Sequence, residues 1–437
     1  MNKNKILQQA IEIDRKLVKI MLQIVDRPVK PINLNKEKTR FFASGFNYQP
    51  KFNYDFDRKK FDELKKETED ISINIDNKEL KTLYEEVKQS IIDDITLTLS
   101  IGDETFTQNS IIFYDKPSYE LVKTAQRILK LIDDSKPEIN VLEILNKVLN
   151  NFNIKFSINT NNINNNIKIK NKDNSKSNIS QINNKKTNKN NKDNITAKKN
   201  SKETNKERIW NTDKSIAYLS KILQHFGFSD WKINIKNIVS KAEILVPDKV
   251  FNLKEDQQFT EKLVKRLAVH EIGTHILRAE NGALQPLQIF KVGFPNYLAT
   301  EEGLAAYNEI IFNVSDIYTL KNYALRTLAT DIALEASFKD VFIFLKNHLS
   351  EDDAFTLTVR VKRGLNNTSM HGAFTKDYIY LQGLLDILKH LSKQHQDIVY
   401  MYYGKIALKH IELIKSIKEI CNLRKPAYKI ESIKDLI

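Results

Sequence analysis

His270, Glu271 and His275 stand together in the stretch LAVHEIGTHILRAENG, residues 267–282. An imidazole followed at once by a carboxylate, with a second imidazole close behind, offers ligands for a divalent metal and a base to draw a proton from water activated there. The spacing is unusual. Metal-binding histidine pairs on one helix familiarly lie four residues apart, about 40° around the axis, so both reach one ion. Here the separation is five, which is about 140° on an ideal α-helix. A π-type bulge removes the conflict, because at about 4.4 residues per turn an i, i+5 pair lies only about 50° apart. Gly273, between the histidines, sits where such a distortion is most easily accommodated.

Two imidazoles need a further ligand. The stretch YLATEEGLAAYNEI, residues 297–310, offers Glu301 and Glu302 at the start of a helix. Two His and one Glu leave one position open, which is the catalytic arrangement of zinc rather than the closed structural one. One Zn2+ per chain is therefore expected, with Glu271 placed as the general base is in zinc peptidases. The single cysteine, Cys421, excludes a thiolate-rich site and an internal disulfide, which fits a reducing, cytoplasmic setting.

The elements that must position these groups read as follows. Helical spacing runs through residues 5–26, 78–94, 118–134 and 213–226, and again through about 258–280, with Asn281 and Gly282 expected to end that last helix. FFASGFNYQPKFNYDF, residues 41–56, reads as an extended aromatic arm. DITLTLSIG and SIIFYD read as a strand pair, and WKINIKN and AEILVPD as two more strands. The remainder is mostly helical, interrupted at VKRGLNNTSMHGAF. The sum is a helix-rich α+β protein with its chemistry in the second half.

The net charge of +14 suggests nucleic acid until its location is considered. Residues 159–206 hold 12 Lys against 3 acids, so most of the excess sits in one Asn-rich segment without aromatics. That segment reads as a disordered low-complexity insertion rather than a binding surface. Neither nucleic acid nor membrane is an expected partner, since no run approaches the roughly 18 apolar residues of a membrane span. Three parts follow: residues 1–158, an N-terminal helical and β portion; 159–206, the insertion; and 207–437, the catalytic domain.

VHEIGTHILRAENGALQP, TEEGLAAYNE and VRVKRGLNNTSMHGAFTKDYIYLQG, in that order, resemble the microtubule-associated tyrosine carboxypeptidase family and its bacterial relatives with a Gln-Glu-Gly-Leu-Ala motif. The resemblance spans about residues 213–420 and extends weakly to FYDKPSYELVKTAQRIL. It implies a gluzincin-like zinc peptidase with a small sheet beside the histidine helix. It further implies that His270, His275 and Glu302 hold zinc and that Glu271 is catalytic, with Glu301 in reserve as the third ligand. The implied substrate is the C-terminus of a peptide or protein. A carboxypeptidase must grip a terminal carboxylate, for which Arg360, Lys362, Arg363 and Lys376 are candidates, Arg363 and Lys376 foremost. Tyr380 could donate to the developing oxyanion, and Arg278 could brace a ligand. An aminopeptidase, an endopeptidase or a noncatalytic module on the same fold are the alternatives.

Overall fold

The computed structural model describes residues 3–24, 27–134, 140–150, 154–155, 170–171, 208–238 and 241–437. The first half is helical: α1 (Lys3–Met21), α2 (Leu34–Ala43), α3 (Arg58–Glu69), α4 (Lys78–Leu99), α5 (Phe106–Tyr114), α6 (Tyr119–Asp133) and α7 (Val141–Leu149). Their starts are encoded locally, since Asn77, Ser118 and Asn140 each accept a backbone N–H of the first turn through the side chain. The chain 94–115 is not the expected strand pair. Residues 94–99 complete α4, and 106–114 form α5. Ile95 joins the main core while Leu97 joins a smaller cluster with Val29, Ile101, Phe106, Leu365 and Phe374. Burial on two faces of one helix produces the alternation that imitates a strand.

The aromatic arm is partly helical. Phe41 ends up in α2, with its ring centroid 5.2 Å from Phe338 and 4.8 Å from Phe342. Residues further along the arm run irregularly to Phe52, whose N–H reaches the Asn366 carbonyl.

The strands are short: β1 (Ile154–Lys155), β2 (Lys170–Asn171), β3 (Ile209–Trp210), β4 (Lys232–Lys236), β5 (Ala242–Leu245), β6 (Val250–Lys254) and β7 (Phe259–Thr260). β6 was not anticipated. It is the middle strand of a β4-β6-β5 sheet, parallel to β4 and antiparallel to β5. Between β3 and β4 lies α8 (Thr212–His225). The insertion falls almost wholly outside the described residues; within it, Lys170 and Asn171 pair with β1.

After β7 come α9 (Glu261–Leu267), a π-helix (Ala268–Ile276), α10 (Leu277–Ala283), α11 (Ile289–Val292), α12 (Tyr297–Ile311), α13 (Ile317–Glu335), α14 (Phe338–Lys346), α15 (Glu351–Lys362) and α16 (Ile379–Lys393). The π-helix packs against β5 on one side and α12 on the other. A continuous core from Ile6 to Ile433 unites the N-terminal helices with this second half. The helix does not stop at Asn281 and Gly282. Asn281 instead ties down the C-terminal segment, donating to the Tyr428 carbonyl and accepting from the N–H groups of Ala427 and Tyr428. Gly282 is needed because a Cβ there would lie 2.2 Å from the Phe290 carbonyl oxygen.

Candidate metal centre and adjoining cleft

Both histidines lie on the π-helix, with ring centroids 4.9 Å apart. A π-turn is less favourable than an α-turn and persists where its surroundings hold it. Here Tyr402 Oη donates to the Gly273 carbonyl (3.0 Å). Asn308 on α12 donates to both Tyr402 Oη and Thr274 Oγ1, at 2.8 and 2.9 Å. Gly273 itself has no left-handed backbone; its role is to leave room, since a Cβ would meet Ile430 Cδ1 at 2.7 Å.

The outer nitrogens of the two rings converge on Glu302. His270 Nε2 lies 3.5 Å from Glu302 Oε2 and His275 Nε2 lies 4.0 Å from the same oxygen. One donor atom from each of the three residues falls within 4.8 Å of the others, the spread expected of groups around one ion. The inner nitrogens are held by other carboxylates: His270 Nδ1 by Glu309 Oε1 (2.6 Å) and His275 Nδ1 by Glu301 Oε1 (2.8 Å). An Nδ1–H donated to a carboxylate leaves the Nε2 lone pair facing the cluster. Glu302 thus closes the cluster, and Glu301 stands behind it.

These supporting carboxylates are buried and must be neutralised. Glu309 meets Arg266 Nε at 2.9 Å. Glu301 meets Arg278 Nη1 at 2.9 Å and Lys405 Nζ at 3.0 Å. Arg278 is fully buried, with Nε donating to the carbonyls of Met401 and Gly404 and Nη2 to that of Ile406, so it holds Glu301 rather than Glu302 in place. Burial alone would raise Glu301, but Lys405 and Arg278 outweigh it and hold the carboxyl well below the usual range. Burial likewise opposes a charged His270, yet its hydrogen bonds to Glu302 and Glu309 raise it to about 10 in the metal-free chain. Glu271 neighbours His270 on the same π-helix and is half-buried. Glu309 was missed in the sequence, although it lies seven residues beyond Glu302 and hence on the same face of α12.

Tyr380 on α16 is brought close by a glycine crossing. A Cβ on Gly303 would sit 2.2 Å from the Gly383 carbonyl carbon, so α12 and α16 touch backbone to backbone. The Tyr380 ring stacks on Tyr323 (5.5 Å, 20°) and lies under the Arg326 guanidinium (4.3 Å). Burial and then the Glu302 charge push its hydroxyl up to about 12.

Arg363 and Lys376 do not touch the histidines. They line a cleft of about 630 Å3 together with Arg27, Asp94, Tyr114, Tyr297 and Phe374. Ala299 on α12, three residues before Glu302, and Ile379, next to Tyr380, line the cleft, while His270, His275 and Glu302 do not. Arg27 is satisfied there by Asp94 and by Tyr114 Oη. Arg363 is not: its Nε is buried without a hydrogen-bond partner, and its guanidinium lies 5.1 Å from the Phe374 ring centre. Burial, reinforced by Arg360, lowers Arg363 to about 10. The other two cations of the motif are committed elsewhere. Arg360 grips Asp377 with Nε (2.5 Å) and Nη2 (2.9 Å), and Lys362 is enclosed by backbone carbonyls.

The fold and site define a helix-rich α+β protein with a two-His, one-Glu cluster beside a basic cleft. The family profile described as microtubule-associated tyrosine carboxypeptidase matches residues 39–180 and 173–437, and the chain belongs to that family. Microtubule-associated tyrosine carboxypeptidase 1 of Homo sapiens is 30% identical over 203 residues, covering 44% of this chain and 42% of that protein. The Rattus norvegicus protein of the same name is 30% identical over 190 residues, or 41% and 39%. The Homo sapiens protein named putative tyrosine carboxypeptidase MATCAP2 is 30% identical over 169 residues, or 36% and 31%. The matched stretch therefore spans about two fifths or less of these relatives' length. Among the described residues, no helix is long and apolar enough to cross a membrane.

Proposed function

We propose that this chain is a zinc-dependent, gluzincin-like carboxypeptidase that removes the C-terminal residue of a peptide or protein in the cytoplasm. The observation that carries the reading is Arg363 in the cleft, its Nε buried without a hydrogen-bond partner, on a wall that includes Ala299 and Ile379 from the helices bearing Glu302 and Tyr380. A cation whose nearby aspartate, Asp377, is held by Arg360 is suited to receive a carboxylate, and a planar guanidinium does so with two parallel hydrogen bonds. Arg27, Arg363 and Lys376 face Asp94 and Asp115 in the same lining, which leaves it one positive charge in excess. A cleft of this sign favours a substrate carboxylate over a substrate amine, which separates the reading from an aminopeptidase. The names of the relatives agree with it.

Two Nε2 atoms and one carboxylate oxygen, with both Nδ1 positions held by carboxylates, form a donor set that fits zinc with an open position. Zinc in that place supplies a Lewis acid and lowers the pKa of water. In this reading His270, His275 and Glu302 hold the ion, and Glu301 and Glu309 orient the imidazoles. Glu271 takes the proton from the attacking water and passes it to the leaving amine. Tyr380 donates its hydroxyl proton in a hydrogen bond to the oxygen that gains charge, which its raised pKa favours because the hydroxyl stays protonated. Residues 207–437 carry the chemistry, while 1–158 supply Arg27, Asp94 and Tyr114 to the cleft wall. The 159–206 segment is expected to serve neither, so that its removal should leave the turnover of short peptides within about two-fold.

Rates on one tyrosine-ended peptide as free acid, C-terminal amide and N-acetyl derivative test the reading. Amidation is expected to abolish most turnover and acetylation to change little. Equal cleavage of free acid and amide would mean an endopeptidase; a loss caused by acetylation would mean an aminopeptidase.

A further inference from the structure

Lys362 lies wholly inside the protein, and among the described residues no carboxylate forms an ion pair with it, Asp340 acting on it from further away. Its ammonium is ringed by four backbone carbonyl oxygens: Ala333 (3.1 Å), Ala336 (2.5 Å), Met370 (3.0 Å) and Gly372 (2.9 Å). Three protons facing four acceptors reproduce the coordination that rings of carbonyls give a dehydrated monovalent cation. Two of the oxygens belong to the last turn of α13 and its exit, where the helix dipole places negative charge. The other two belong to the loop after α15, which docks on the same turn through Gly372 N–H to Ala333 O (2.8 Å). Burial pushes the amine down to about 7, opposed by the charge of Asp340.

The next residue is Arg363, where α15 ends and the backbone turns extended (φ −61°, ψ 149°). Gly364 follows with φ 93°, its N–H donating to Tyr54 Oη and its carbonyl accepting from Gly102 N–H. A Cβ on Gly364 would lie 2.0 Å from the Phe106 ring. The chain is thus pinned on one side of Arg363 by the ammonium and on the other by the N-terminal helices. We propose that Lys362 is a positioning residue for substrate binding: an internal ammonium, standing in for a bound monovalent cation, that latches the loop to α13 and so sets the direction in which Arg363 enters the cleft. The kinetic part of this inference rests on the carboxypeptidase reading; the latch itself does not.

Two variants test it in the full chain, by amide hydrogen exchange and by peptide kinetics. Lys362→Met, which keeps the stem, is expected to retain its circular dichroism and metal content while amides of residues 364–374 exchange at least about ten-fold faster than in the parent protein. KM for the free-acid tyrosine peptide should rise about ten-fold with kcat within about two-fold, the loss of one well-placed binding contact. Lys362→Ala leaves an empty ring, and added methylammonium should restore both loop protection and KM, whereas tetramethylammonium, with no N–H to donate, should not. If Lys362→Met does not fold, the methylammonium response of Lys362→Ala decides alone. Unchanged exchange and KM in a folded variant, or faster exchange across the whole chain with no response to methylammonium, would overturn the proposal. A parent protein that releases no C-terminal residue would remove the carboxypeptidase reading, with exchange and methylammonium still deciding the latch.

Discussion

Glu301 and Glu302 are neighbours on α12 that address opposite nitrogens of one imidazole: Glu301 Oε1 lies 2.8 Å from His275 Nδ1, and Glu302 Oε2 lies 4.0 Å from His275 Nε2. The two substitutions should therefore fail differently. Glu302→Gln is expected to lose bound metal with little change in thermal stability. Glu301→Gln should still bind metal, about 10–100-fold more weakly. It should also melt earlier, since two buried cations lose their partner at a cost of about 3–5 kcal/mol. Elemental analysis after dialysis, beside thermal melts, separates the two. Metal loss in Glu301→Gln alone would reverse the assignment.

Glu271→Gln should keep metal and fold while turnover falls by about 100-fold or more, the usual scale for a general base. Single-turnover rates with metal content measured on the same sample check this. A variant retaining full activity would remove Glu271 from the chemistry.

Arg363→Gln should raise KM for free-acid peptides by about 10-fold or more, the scale of one charge-assisted hydrogen bond, and leave the slow cleavage of amides unaltered. Lys376→Gln is expected to do less, because a lysine ammonium lacks the planar fork that meets a carboxylate with two hydrogen bonds. Equal losses on acid and amide would show that Arg363 acts through structure alone.

Gly383→Ala would place a Cβ 1.9 Å from the Ala299 carbonyl oxygen at the α12–α16 crossing. Forcing those backbones apart should cost about 1–3 kcal/mol and move Tyr380 away from Glu302. The expected result is a lower melting temperature together with a lower kcat; an unaffected kcat would show that Tyr380 takes no part.

The pH dependence of stability should include an acid limb from Glu86. Burial works to raise this carboxyl, but His410 and Lys409 outweigh it and bring it to about 2, against 4.5 for a free side chain. A depressed folded value means that the stabilisation is complete above about 4.5 and is lost as pH falls toward 2. Glu86→Gln should therefore flatten the melting temperature between those limits relative to the parent protein. Identical acid profiles would show that the pairing contributes nothing.

How legible the site was depended on whether its parts lie on one helix. The five-residue spacing of His270 and His275 with Gly273 between them called for a π-turn, and the turn is there, though Gly273 serves Ile430 rather than backbone freedom. Between Glu301 and Glu302 the residue pattern alone left the choice open, because adjacent residues differ only in the direction they face, and the preference for Glu302 came from the family resemblance. Lys362 and Arg360 were indistinguishable from substrate-binding cations in sequence; what commits them is carbonyls and an aspartate brought in by other elements. The strands expected at 94–115 failed because apolar and polar residues alternated for a reason unrelated to sheets, namely two cores flanking α4.

The π-turn also has a bearing on everything that follows it. A helix advances by about 100° per residue, so on an ideal α-helix a fifth step would carry His275, and every residue after it, about 100° beyond the place that a fourth step reaches. The wide turn at 268–276 absorbs that step, leaving a phase within about 10° of an ordinary i, i+4 pair. Arg278 and Asn281, three and six residues after His275, keep by that means the directions in which they reach Glu301 and Tyr428. Straightening the turn with its residues intact would swing His275, Arg278 and Asn281 away together, releasing a metal ligand, a buried ion pair and the C-terminal segment at once. The turn is a slack-taker for the whole helix as much as a means of bringing two rings together.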